Sequence, residues 1–156
     1  MRKIISLAVV ALLASSMSAQ TIANMKDLNA EKKSAAINLK LTGTLTTTRN
    51  SDFRQLRDLC WQLRNLDLSE ATCPVLPKNA FHSRHHLQHV VLPNQLQEIG
   101  TQAFFACDNL QEVVIPKSVT KVGAAAFSGC KSLKTITIEG ASEIGEFSFA
   151  NPEGVQ

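Results

Sequence analysis

Four histidines fall close together in the sequence: His82, His85, His86 and His89. On a helix, His82, His85 and His89 would share one face and could bind zinc through their imidazole nitrogens. No carboxylate or cysteine stands at a matching spacing within this stretch, and the repeat described below assigns 82–86 to a turn and His89 to a strand. We therefore expect a solvated turn without metal. Metal capture and pH-dependent contact with a partner remain alternatives, because histidine gains charge as the pH falls.

The four cysteines divide into two pairs by their spacing. Cys107 and Cys130 lie one repeat period apart and in the same phase, so we expect packed thiols that act as small hydrophobic groups. Stacked parallel strands also give a poor Cβ geometry for a disulfide between them. Cys60 and Cys73 fall outside that phase. Because export favours oxidised cysteines, we predict a Cys60–Cys73 disulfide that ties the first helix to its loop.

Signatures of enzymes and of nucleic-acid binding are absent from the sequence. There is no G-x-S-x-G elbow, no phosphate-binding loop and no pair of carboxylates at a spacing that would form an acid–base site. We predict a non-catalytic protein with no cofactor. Lys plus Arg number 16 against 13 Asp plus Glu, which is too small an excess for a nucleic-acid partner. A hydrophobic content of 44% with 19% charged residues is typical of a folded domain.

The N-terminal segment, 1–19, has the layout of a secretory signal peptide. Arg2 and Lys3 precede an apolar run at 4–13, and small residues lead to a predicted cleavage after Ala19. That run is shorter than the roughly 20 residues needed to span a bilayer, and no later stretch is apolar enough. We predict a secreted or cell-surface protein of the bacterial envelope, with no transmembrane segment in the mature chain.

A repeat runs through the rest of the chain in two linked phases. One phase reads apolar-x-x-apolar-x-apolar and opens at Leu63, Leu87, Leu110 and Leu133, which are almost equally spaced. The other phase is a small residue followed by phenylalanine, at Ala80-Phe81, Ala103-Phe104, Ala126-Phe127 and Ser148-Phe149. Two phases in step over four copies predict a stacked repeat architecture.

The period of about 23 residues is typical of leucine-rich coils, in which each coil supplies one short strand and a return path. Stacking would pair the strands in parallel and bury their alternate side chains in one continuous core. We predict a right-handed solenoid of about four coils, with the phenylalanines stacked in its core. Pro93 and Pro116 should end their strands. The glycines after Ile99, Val122 and Ile144 are expected to permit a backbone angle that other residues avoid.

The N-terminal part departs from this repeat. A strand is predicted near 37–42, and helical spacing of Phe53, Leu56, Cys60 and Leu63 predicts a capping helix, with Trp61 covering the same edge. The predicted organisation is a signal peptide at 1–19, a mobile or helical lead-in at 20–35, a capping coil with its helix at 36–75, repeats at 76–150 and an incomplete C-terminal end at 151–156.

The repeat resembles the BspA-type leucine-rich repeats of bacterial surface proteins. The motif that carries the resemblance reads Val113-x-Ile115-Pro116-x-Ser118-Val119-x-x-Val122-Gly123-x-x-Ala126-Phe127-x-Gly129-Cys130-x-x-Leu133. The resemblance covers roughly residues 36–150, and the N-terminal part is similar to the lead-in of such proteins from Bacteroidetes. It implies a leucine-rich repeat solenoid with a short parallel sheet on its concave face, irregular or short-helical return segments and one N-terminal capping helix. It also implies a surface interaction module, in some members an adhesin, without catalytic residues.

Two departures from the family pattern stand out. The copy at Phe81-His82-Ser83-Arg84 lacks the Gly-Cys pair, and the last copy stops at Phe149-Ala150-Asn151-Pro152 without a following strand.

The outward positions of the predicted strands form the best candidate binding surface. They should fall into two columns on the concave face, where solenoids usually bind their partners. The partner implied is a host matrix protein, another surface protein or a glycan. A spacer or fragment of a longer surface protein is the structural alternative. The first column contains Asn65, His89, Glu112 and Thr135, and the second contains Asp67, Val91, Val114 and Thr137.

Overall fold

The computed structural model describes residues 20–22, 25, 36–47 and 52–150. The predicted signal peptide at 1–19 and the predicted end at 151–156 lie outside the described residues, as does most of the lead-in at 20–35. At the described start of that lead-in, Gln20–Ile22 forms a strand. Two of its three residues are β-branched, which suits an extended backbone, and it pairs in parallel with residues 39–41.

The strands of the described residues form two parallel sheets, and the predicted stacked solenoid is confirmed. The first sheet holds the longer strands, in the order β1 (Gln20–Ile22), β2 (Asn38–Thr44), β3 (Asn65–Thr72), β5 (His89–Val91), β7 (Glu112–Ile115) and β9 (Thr135–Ile138). The second sheet holds very short strands, in the order β10 (Glu143–Ile144), β8 (Lys121–Val122), β6 (Glu98–Ile99) and β4 (Val75–Leu76).

The second sheet adds to the prediction, which expected only irregular or short-helical return segments. Each return path places one aliphatic residue in register with the corresponding residue of the neighbouring coil, as in the pairs Leu76↔Ile99 and Ile99↔Val122. Backbone groups that turn inward on a buried return path need partners, and the neighbouring coil supplies them. The coils are therefore joined by backbone hydrogen bonds on both sides of the core.

Strands β2, β3, β5 and β7 of the first sheet alternate between the core and the surface as predicted, whereas β9 leaves Ile138 exposed. In β5, Val90 is buried while His89 and Val91 are half-buried, and Leu92 returns to the core. Strand β5 ends shortly before Pro93, and β7 ends directly before Pro116, since proline has no backbone N–H for the ladder.

The phenylalanines stack through the core as predicted. The Phe81 and Phe104 rings lie 5.1 Å apart, Phe104 and Phe127 lie 5.0 Å apart, and Phe127 and Phe149 lie 5.5 Å apart, all nearly parallel. Phe53 closes the stack at its N-terminal end with an edge-on contact to Phe81 at 5.9 Å. One aromatic column thus links the capping helix to the last described coil.

The capping helix α1 spans Asp52–Leu59, which is shorter than the spacing predicted. Phe53 and Leu56 face the core, and the chain beyond the helix keeps Leu63 buried through a turn. The Asp52 carboxylate accepts hydrogen bonds from the Thr46 backbone N–H at 2.8 Å and from its hydroxyl at 3.0 Å, which fixes the start of the helix. Trp61 does not cover the edge of the coil, since 53% of it is exposed.

The repeated glycines do not have the role predicted for them. None of Gly100, Gly123 and Gly145 takes a left-handed backbone conformation. A Cβ at Gly100 would instead lie 2.6 Å from the Leu76 carbonyl oxygen, and a Cβ at Gly145 would lie 2.5 Å from the Ala124 nitrogen. Glycine is required here because two coils approach closely. A side chain at these positions would clash with the main chain of the preceding coil.

Within the part of the chain that the structure describes, no helix has the length and apolar character needed to cross a membrane.

Candidate functional site

The structure brings the eight predicted binding residues onto one surface of the first sheet. Strand register aligns Asn65 with His89, His89 with Glu112, and Glu112 with Thr135. The second column follows the same register, with Asp67 beside Val91 and Val114 beside Thr137. None of the eight is buried, whereas their neighbours in strands β3, β5 and β7 point into the core.

Two further residues extend this surface, although the repeat pattern did not indicate them. Asn38 pairs in register with Asn65, and Lys40 pairs with Asp67. The strand predicted near 37–42 was sufficient to place Asn38 and Lys40 outward. Their spacing to Asn65 and Asp67 is longer than the repeat period, so the period did not align them with the two columns. We call the complete surface the column face, made of Asn38, Lys40, Asn65, Asp67, His89, Val91, Glu112, Val114, Thr135 and Thr137.

The N-terminal third of the column face is held by ion pairing and hydrogen bonding. The Lys40 ammonium lies 2.7 Å from Glu70 Oε1 and 3.7 Å from Asp67 Oδ2. The hydrogen bond to Glu70 raises the pKa of Lys40 above its usual value, against a smaller opposing effect of burial. The Asn65 amide donates to the Asn38 side-chain oxygen. These groups already have partners, and the one ammonium and two carboxylates together leave a net negative charge.

The middle of the column face is mixed in character. His89 Nδ1 lies 3.9 Å from Glu112 Oε1, which is a loose contact between adjacent coils. Val91 and Val114 occupy neighbouring coils in the second column, and both are half-buried. Thr135 and Thr137 on β9 are exposed. A partner would therefore meet an aliphatic patch flanked by a carboxylate on one side and hydroxyl groups on the other.

The histidines lie where the repeat phase predicted, in the turn after Phe81 and on β5. The His82 ring stacks on Phe105 of the next coil with centroids 5.0 Å apart. His85 Nδ1 lies 2.7 Å from Asp108 Oδ2, and Lys131 Nζ lies 3.7 Å from the other oxygen of that carboxylate. Asp108 follows His85 by one repeat period, so the period itself could have identified this pair. Among the described residues, no three histidine, cysteine, aspartate or glutamate side chains are grouped to hold a metal ion.

The four cysteines are all buried thiols, which corrects the predicted Cys60–Cys73 disulfide. Cys73 Sγ donates to the Val75 carbonyl at 3.1 Å, and Cys107 and Cys130 each donate to a phenylalanine carbonyl of the preceding coil at the same distance of 3.1 Å. Burial raises the pKa of Cys73 to about 11 and that of Cys130 to about 12, and it raises the pKa of Cys107 further. The thiols pack as small hydrophobic groups, and none of these three is an activated nucleophile.

A cleft of about 270 Å³ lies on the outer side of helix α1, lined by Arg54, Gln55, Asp58 and Leu59. Burial would raise the pKa of Asp58, but hydrogen bonds from Arg57 and Arg54 outweigh it and hold that pKa below its usual value. Arg54 Nε lies 3.3 Å from Asp58 Oδ2. A carboxylate kept ionised by two neighbouring guanidinium groups is typical of a surface ion pair, and it is a poor general acid.

Comparisons with known proteins agree with this geometry. A family model described as the BspA type leucine-rich repeat region matches residues 49–155 in six copies. A leucine-rich repeat protein from Bacteroides ovatus superposes with a TM-score of 0.56 at 22% identity, over 75% of this chain and 30% of that one. A leucine-rich repeat protein from T. pallidum superposes with a TM-score of 0.52 at 19% identity, over 80% of this chain and 66% of that one. No curated protein matches the chain.

Proposed function

Because the chain belongs to the BspA-type leucine-rich repeat family, we propose that it is an exported, non-catalytic module of the cell surface. Its column face recognises a protein or a glycan outside the cell. Leucine-rich repeats of this family serve as interaction modules, and the proposal assigns that role to one defined surface of this chain.

The continuous column face is the observation that supports the proposal. Register-matched positions carry solvent-reachable side chains across five adjacent strands, from Asn38 on β2 to Thr135 on β9. Strands β2, β3, β5 and β7 bury their alternate residues in the core of stacked phenylalanines, and this packing restrains the surface before any partner arrives. A rigid surface loses little conformational entropy on binding, which leaves more of the contact energy for affinity.

The chemistry of the column face favours contacts of moderate polarity. Val91 and Val114 supply apolar area, and Glu112 supplies a charge beside the loosely placed His89. The small formal net charge of +3 for the whole chain, to which Arg2 and Lys3 contribute, argues against a nucleic-acid partner.

Export rests on the sequence of the segment 1–19. Expression of the complete chain in a bacterial host, followed by N-terminal sequencing of the envelope and medium fractions, tests it. We expect a mature protein that starts at Gln20 or very close to it. Retention of Met1 on protein found only in the cytoplasm would contradict export.

A structural spacer in a surface protein is the second candidate. The observation that favours it is the internal pairing of Lys40 with Asp67 and Glu70, which leaves part of the column face satisfied without a partner. A spacer predicts no saturable binding by this face.

Binding of the mature segment, residues 20–156, to immobilised matrix proteins and mucins tests recognition against the spacer. A parallel biosensor channel carries the variant Val91→Lys with Val114→Lys, whose folding is checked by circular dichroism. We expect saturable binding to at least one ligand, lost in the variant. A folded wild-type sample that binds nothing on the panel would favour the spacer.

A further inference from the structure

Arg84 stands where the two following coils of the repeat carry a cysteine. It lies one repeat period before Cys107 and two before Cys130. Cys107 Sγ donates to the Phe81 carbonyl of the preceding coil at 3.1 Å. Cys130 Sγ donates to the Phe104 carbonyl in the same way and at the same distance. The residue in this phase therefore joins its own coil to the unit before it, and for Arg84 that unit is helix α1.

Arg84 makes the corresponding contact across a wider gap. Its Nη1 donates to the Arg57 carbonyl oxygen in the last turn of α1. A helix with its side chains is about 10–12 Å wide, whereas strands of adjacent coils lie about 4.8 Å apart, so a longer side chain than cysteine is needed to reach it. The contact also places a cation at the C-terminal end of a helix, where the last carbonyl groups favour positive charge.

Helix α1 sends a side chain back across the same junction. Arg57 Nη1 donates to the Asn79 carbonyl at 3.2 Å, on the coil that contains Arg84. Arg57 Nε lies 2.9 Å from Asp58 Oδ1, which orients the guanidinium. We call this reciprocal pair of contacts, from Arg84 to the Arg57 carbonyl and from Arg57 to the Asn79 carbonyl, the arginine clasp.

Overall stability alone does not account for Arg84 at this position. Its Nε is buried without a hydrogen-bond partner among the described residues, as is Asn79 Oδ1 on the same coil. A buried donor without a partner costs free energy that an apolar side chain would not. The favourable contact of Arg84 is the one with α1, so its effect is expected at the junction between the helix and the repeats.

We infer that the arginine clasp is a conformational device that controls how readily helix α1 opens from the repeats. With the clasp closed, the helix and the coil that contains Phe81 open together. With the clasp broken, α1 opens by itself and uncovers the buried Phe81 ring, on which Phe53 of the helix packs edge-on at 5.9 Å. Strands β7 and β9 keep their structure. The inference does not depend on the proposed function of the column face.

Amide hydrogen exchange of the complete chain, read by mass spectrometry of its peptides, tests the inference. Arg84→Met removes the guanidinium and keeps most of the aliphatic stem. We expect the amides of α1 to exchange about tenfold faster in this variant, because a hydrogen bond from a charged donor is lost. The amides of β7 and β9 should exchange as in the wild type.

Arg54→Met is the matched control, since it removes an arginine from the same helix. Arg54 is exposed, and its Nε lies 3.3 Å from Asp58 Oδ2. An exposed ion pair contributes little to stability, so this variant should change the exchange of α1 much less than Arg84→Met.

Trp61 provides a second measurement, because it is the single tryptophan of the chain and follows α1 closely. Its fluorescence reports on the helix end, whereas far-UV circular dichroism reports mainly on the strands. In urea the two signals of the wild type should change together. In Arg84→Met the midpoint of the fluorescence change should lie about 0.5–1 M below that of the circular dichroism change.

Several results would overturn the inference. Unchanged exchange of α1 in Arg84→Met would do so, as would an equal acceleration in α1 and β7, which indicates general destabilisation. Equal effects of Arg84→Met and Arg54→Met would also count against the clasp. If Arg84→Met does not fold, Arg57→Met breaks the other contact and should accelerate the same amides. Column-face variants do not enter this test, so its failure leaves the recognition proposal standing.

Discussion

Replacing Gly100 with alanine should destabilise the solenoid more than replacing Gly129 with alanine. A Cβ at Gly100 would lie 2.6 Å from the Leu76 carbonyl oxygen and 2.8 Å from the Lys78 nitrogen, both main-chain atoms of the preceding coil. Gly129 has a φ of +75°, but a Cβ there would come no closer than 3.5 Å to the neighbouring coil. Comparing the two substitutions therefore separates a steric requirement for glycine from a requirement for a left-handed backbone.

The expected costs follow from these contacts. An added methyl at Gly100 must push two coils apart, which weakens the 2.9 Å hydrogen bond from its N–H to Leu76. Overpacking and the weakened hydrogen bond together give a loss of about 2–4 kcal/mol in the free energy of unfolding. At Gly129 a left-handed alanine costs about 1 kcal/mol, partly offset because alanine restricts the unfolded chain. Ala106 already adopts a φ of 55° one coil earlier, so alanine is tolerated at this position.

Equilibrium unfolding in urea, followed by far-UV circular dichroism, measures both variants against the wild type. We expect a much lower midpoint for Gly100→Ala and a small change for Gly129→Ala. Equal midpoints, or a larger loss at Gly129, would refute close coil approach as the reason for the repeated glycines.

Three other predictions follow from the core. Phe104→Ala removes a fully buried ring stacked on both sides and should lower the free energy of unfolding by about 3–5 kcal/mol. Phe149→Ala changes a half-buried position and should lower it by less. Comparable losses for the two variants in urea unfolding would contradict the stacked core. A thiol reagent at pH 8 should label none of the four cysteines in the folded protein and all four in denaturant, and fewer than four after unfolding would indicate a disulfide. Because burial raises the pKa of Cys130 to about 12, the folded thiol stays protonated while the unfolded one ionises above about pH 8.5. The contribution of Cys130 to the free energy of unfolding should therefore be constant below that pH and fall above it. The alkaline loss should be less steep in Cys130→Ala, and an identical alkaline profile for that variant would contradict the assignment.

The repeat period predicted the parts of the fold in which one coil copies another. It placed Phe81 over Phe104, aligned His89 with Glu112, and turned Val91 and Val114 outward. In each case the packing of one coil repeats at a fixed chain distance, so equal spacing becomes contact in space. The same rule would have paired His85 with Asp108, had it been applied to charged residues in the turns.

The features that the sequence missed depend on interactions that no period encodes. Lys40 belongs to the column face, but a longer loop and the capping helix separate its strand from the next one. The second sheet forms because buried backbone groups of the return path need partners, which side-chain patterns do not report. Gly100 looked like a conformational requirement because sequence cannot measure how closely two main chains approach. The Cys60–Cys73 pairing rested on redox environment, which does not determine where two thiols lie in the fold.

The central proposal, recognition through the column face, is tested most directly by comparing two variants of equal charge change. One is Val91→Lys with Val114→Lys, and the other is Val75→Lys with Thr101→Lys, two exposed positions away from the column face. Their Kd values are measured by biosensor for a ligand that the wild type binds saturably. The proposal predicts loss of binding in the first variant and wild-type affinity in the second. Equal affinities in the two variants, with both folded, would contradict it.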